Sequence, residues 1–130
     1  MSAITQQVHT RFKMFAGALQ TGPSIAHLAK DVEDFAVRAN AAGKSIGIEY
    51  LEHSKTVVIT FGYRNDETPY PIKLQTVALG RGNALDPADL TRLESRMEEE
   101  ASRLQNIICH ELLVTEKDDF VVVFMTHHAA

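Results

Sequence analysis

Six histidines and a single cysteine are the side chains from which a metal centre or a nucleophilic site would first be built in this 130-residue chain. Their spacing does not support either. His127 and His128 are adjacent, and neighbours on a strand point to opposite faces, so one ion cannot readily take both. His9 and His27 have no His or Glu four residues on, where a helical ligand pair would need one. His53 falls in a polar turn, and His110 stands alone among apolar residues. Cys109 lies between Ile108 and His110 in an apolar run. There a thiol behaves as a small hydrophobe rather than as the exposed, charge-stabilised thiolate that nucleophilic catalysis requires. No metal, no cofactor and no catalytic residue is expected, and the chain reads as a non-enzyme.

Three further constellations could bind rather than react. Gly80-Arg81-Gly82-Asn83 precedes a helix start, where anions are attracted. It lacks the Lys-Ser/Thr ending of a P-loop and the third glycine of a dinucleotide fold, and Asp86 and Asp89 already occupy the positive end of the helix. Glu94 with Glu98-Glu99-Glu100, and Glu116 with Asp118-Asp119, read as solvated charge on a helix face and in a turn. They also offer an acidic docking surface for a basic protein partner. Tyr63 and Tyr70 flank the charged 64–69 turn, as a binding lip or as strand-end tyrosines closing a core edge. Arg81, His110, Tyr63 and Tyr70 are therefore the candidate ligand or interface residues.

The elements that must position these groups follow from periodicity. Ile4, Val8, Phe12, Phe15 and Leu19 draw one helical stripe and predict a helix over 3–19. Ile25, Leu28, Val32, Phe35 and Ala39 predict a second over 23–42, opened by Pro23 and closed by Gly43. The period then changes to two. Ile46, Ile48 and Tyr50, then Val57, Ile59, Phe61 and Tyr63, predict a hairpin, and Pro69 and Pro71 delay a third strand to 72–79. Asp86-Pro87 starts a third helix with Leu90, Leu93, Met97, Ala101 and Leu104 inward, closed by Asn106. Two strands over 107–115 and 119–126 complete the order. The expectation is an α+β chain, a single domain over 1–130, with two N-terminal helices. After them, β-β-β-α-β-β forms a five-stranded, mainly antiparallel sheet with a helix packed on one face. This element order resembles that of small acidic dimeric secretion chaperones, without their final helix, and the resemblance implies a dimer that binds protein.

Composition agrees with a compact, water-facing chain. Apolar residues make up 45% and charged residues 23%, and no run reaches the roughly 18 apolar residues of a membrane span. Nothing at the start reads as a signal peptide, and one cysteine forms no internal disulfide, so the cytoplasm is expected and no membrane partner. The net charge of −4 comes from residues 81–130, which hold five basic against ten acidic side chains, so nucleic acid is not an expected partner. Phe120, Val122 and Phe124 alternate with Val121, Val123 and Met125, a strand apolar on both faces that must be covered on both. One layer of helices cannot do this, which points to a homodimer acting as a binding or interaction module. The alternative is a small-molecule binder or enzyme with a pocket between helices and sheet, near His110 and Arg81.

Overall fold

A computed structural model describes residues 10–18 and 22–127. The order is β1 (Arg11–Ala18), α1 (Gly22–Arg38), β2 (Ala42–Leu51), β3 (Thr56–Arg64), β4 (Ile72–Arg81), α2 (Pro87–Ala101), β5 (Ile107–Val114) and β6 (Asp119–His127). Two three-stranded antiparallel sheets result, β1-β3-β2 and β4-β6-β5. The α+β class holds, but among the described residues two α-helices and six strands stand against the expected three helices and five strands.

The correction begins at the N-terminus. Residues 11–18 of the predicted first helix are a strand, fully paired with β3 from Arg11↔Tyr63 to Ala18↔Thr56. Residues 3–9 of that prediction, His9 among them, lie outside the described residues, as does His128. Among the described strands β3 is otherwise open on that side, and the eight rungs of pairing with it outweigh the local helical stripe.

Helix α1 matches its predicted apolar stripe, with Ile25, Leu28 and Val32 buried. It ends earlier than expected, at Arg38, with Asn40 rather than Gly43 making the left-handed turn. Asn40 takes a left-handed backbone (φ 51°), and the Ala41 N–H donates to Ala36 O at 3.0 Å, which satisfies an end carbonyl. Gly43 instead sits in β2. A β-carbon there would stand 3.2 Å from the Phe61 ring and 3.3 Å from Ile72, so any side chain would crowd the place where the two sheets approach.

The single five-stranded sheet is the second correction. The segment containing Pro69 and Pro71 does not return β4 to the edge of β3; it carries the chain to a second sheet, where β4 pairs with β6. The two sheets meet along β2 and β5 with side chains in place of a backbone ladder. Glu111 Oε1 accepts from the Ile48 N–H at 3.4 Å, and the Cys109 sulfur faces the Ile46 N–H. Two residues along β2 correspond to two along β5, so these strands run in the same direction. At one end of the seam Lys55 pairs with Glu116, and at the other the Tyr70 hydroxyl donates to Gly43 O.

Helix α1 lies in the angle between the sheets, touching β1 and β3 on one side and β4 on the other. Its core joins Val32, Ile48, Ile59 and Phe61 to Leu74, Val123 and Met125. Glu33 on α1 accepts from the Leu74 N–H at 2.8 Å and so occupies the outer edge of β4. Helix α2 covers the opposite face of the second sheet, where Leu93 packs with Leu79, Phe120, Val122 and Phe124. Asp86 caps it, accepting from the Ala88 N–H at 3.0 Å. Helices therefore lie on both faces of this sheet rather than one. The two-sided β6 is buried by its own chain, with no second copy needed there.

Candidate functional site

The four residues singled out from the sequence are not brought together. Tyr63 is core: it is 7% exposed, stacks on Phe61 at 5.4 Å and meets Phe35 edge-on at 5.4 Å. Tyr70 closes the seam between the sheets, its ring 4.4 Å from that of His127. Arg81, exposed at the end of β4, pairs with Asp119 at 3.5 Å, and its carbonyl accepts from Arg92. His110 is exposed on β5, its ring 6.3 Å from Phe124. Arg81 and His110 sit beside well-separated rungs of β6, Asp119 and Phe124, and share no pocket.

In the loop at Gly82 and Asn83 the backbone donors of residues 82, 83 and 85 are already engaged within the chain. The Gly82 N–H donates to Asp118 O at 3.1 Å, the Asn83 N–H to Asp89 at 2.7 Å, and the Leu85 N–H to the Asn83 side chain at 2.9 Å. The Asn83 N–H, with Arg92 alongside, holds the Asp89 carboxyl below its ordinary value. Among the α2 carboxylates, Glu99 pairs with Arg103 at 3.0 Å, while Arg96 and Arg103 both reach Glu100. These are exposed pairs worth little to stability.

Among the described residues no three His, Cys, Asp or Glu side chains are grouped to hold a metal ion. Cys109 is half-buried, and burial pushes its thiol above the usual range, against the opposing contact from the Ile46 N–H. A neutral thiol is a poor nucleophile. A water-soluble disulfide reagent is therefore expected to label Cys109 at least about tenfold more slowly in the native protein than in urea. Equal rates would show an accessible thiolate instead.

One polar cleft opens where the chain leaves α2. Its volume is about 370 Å³, and Gln75, Arg103, Gln105, Asn106, Thr126 and His127 line it with Leu104. Thr126 donates to Lys73 O at 3.3 Å and Arg103 is held by two glutamates, and the lining offers hydrogen bonds from its amide side chains. No sequence signal marked this segment, because 102–106 read as the tail of a helix.

Among the described residues, the outer face of the first sheet, turned away from α1, has no such cover. Its side chains run Phe12, Met14 and Ala16 on β1, then Gly62, Thr60 and Val58 on β3, then Ser45, Gly47 and Glu49 on β2. Phe12 is 65% and Met14 64% exposed, two rungs of one strand side by side. The Phe12 ring reaches over Gly62, 3.3 Å from where a β-carbon would stand. Beyond the seam, Leu112 and Val114 on β5 are also exposed, at 42% and 39%. Small side chains on β2 and β3 leave this surface shallow, and a flat surface with projecting apolar groups suits a protein rather than a small molecule. Among the described residues, no helix is long and apolar enough to cross a membrane. No family model, no curated protein and no solved structure matches the chain.

Proposed function

We propose that this protein is a non-enzymatic interaction module of the cytoplasm, acting as a homodimer through the outer face of its first sheet. The observation that carries the reading is the exposure of Phe12 and Met14 on a sheet face that no helix covers among the described residues. Single exposed apolar residues are ordinary, but adjacent large ones on a flat strand face mark a surface that is covered in use. A second copy is the commonest cover, because one self-complementary patch then serves both partners.

The cleft beside Arg103 favours a second reading, a binder of a small polar molecule held by the Gln75, Gln105 and Asn106 side chains. Native mass spectrometry with light scattering at micromolar concentration separates the two. The expected result is a mass near twice 14.4 kDa, reverting to one chain in a Phe12→Ser/Met14→Ser variant with unchanged circular dichroism. A single-chain mass for the unmodified protein overturns the homodimer, and a co-purified small molecule on that single chain supports the second reading.

A further inference from the structure

The edges of the two sheets differ in how they end. On β4 the Leu74 N–H is taken by the Glu33 carboxylate, and β2 and β5 face each other across Glu111 and Cys109. Strand β1 is the remaining edge among the described strands. Among the described residues no side chain bonds to its backbone, and α1 meets it through its inner face, where Leu28 lies against Gly17 and Phe35 against Phe15. Its ladder with β3 runs unbroken, whereas each of the other three ladders contains a bulge. Natural sheets blunt an edge with bulges, prolines or charges; β1 has no bulge and no proline, and its charges are Arg11 and Lys13.

We infer that the dimer is built by antiparallel pairing of β1 with β1 of a second copy across a two-fold axis at Met14, which joins the two three-stranded sheets into one of six strands. The inference rests on the homodimer reading and specifies its contact. Two-fold pairing keeps like faces together, so each register is centred on one residue. Centring on Lys13 sets Lys13 against its own copy, and centring on Phe12 sets Arg11 against Lys13; both oppose like charges. Centring on Met14 pairs all of residues 11–17, with Phe12 opposite Ala16, Lys13 opposite Phe15 and Arg11 opposite Gly17. Lys13 then meets an aromatic ring, as it already does 5.9 Å from Phe35. The exposed Phe12 and Met14 of both copies come together on the outer face. Two eight-residue edges with these four side chains bury on the order of 1,000 Å², the low end for a specific interface, which fits a dimer of about micromolar affinity.

The test is disulfide trapping in a Cys109→Ser background, which leaves no other thiol. A cysteine at Met14 would face its own copy within about 5.5 Å between α-carbons, inside disulfide reach. One at Lys13 would be about 8 Å from its copy, beyond that reach. Mild oxidation at micromolar protein is expected to convert most of Met14→Cys to linked dimer, at least about tenfold faster than Lys13→Cys. Phe12→Cys/Ala16→Cys checks the same register should Met14→Cys be poorly folded, and is also expected to link. A dimeric mass without linkage of either variant overturns the edge pairing and leaves the homodimer standing. A single-chain mass overturns both, and so assigns the edge to no second copy. Equal linkage at positions 13 and 14 overturns the register, since it reports random collision.

Discussion

Phe61→Ala is expected to destabilise the protein by about 3–5 kcal/mol, the scale for a fully buried aromatic cut back to a methyl. Phe61 is 0% exposed on β3, the central strand of the first sheet. Its ring stacks on Tyr63, meets Phe35 edge-on at 6.3 Å, and fills the space against Gly43 where the sheets approach. The cavity would therefore lie between α1 and both sheets. Urea denaturation at fixed protein concentration measures the loss, as a lower midpoint with an unchanged slope. A change under about 1 kcal/mol would mean that Phe35 and Met125 repack into the gap.

Phe61 was legible as core because β3 obeys the simplest rule, with Val57, Ile59, Phe61 and Tyr63 alternating over a strand whose inner face is buried. The cap Asp86 and the stripes of α1 and α2 were legible for the same local reason. Strand β1 was not. Its residues, RFKMFAGA, contain no β-branched side chain, and they are apolar on both faces, Phe12 and Met14 outward and Phe15 inward. Neither period wins over eight such residues, and the open edge of β3, far along the chain, decides the outcome. The misreading hid the candidate surface too, since a helical stripe places Phe12 in the core. The division into two sheets was equally non-local. Pro69 and Pro71 announce an interruption, but only the pairing of β4 with β6 says that the chain has changed sheets. Tyr63 stacks on Phe61, and the Tyr70 hydroxyl donates to Gly43 O, so both pack against core edges.

Phe124→Ala carries the second large effect, again about 3–5 kcal/mol, but it should be spent differently. Phe124 is 3% exposed and belongs to the smaller cluster on the α2 side of the second sheet, apart from the core around α1. Helix α2 contributes one fully buried side chain to that cluster, Leu93, with Met97 and Ala101 half-buried beside it. A helix held by so few contacts opens on its own when the surface beneath it is hollowed, because local opening needs only the free energy of those contacts. The β3 amides sit in the other cluster and lose less of their protection. Native-state hydrogen exchange on Phe124→Ala is therefore expected to speed exchange in α2 about a hundredfold or more, and in β3 by clearly less, provided the variant still unfolds globally more slowly than α2 opens. Equal acceleration in both would show that α2 and the α1 core unfold as one unit. A loss under about 1 kcal/mol would show that His110 and Met97 close over the missing ring.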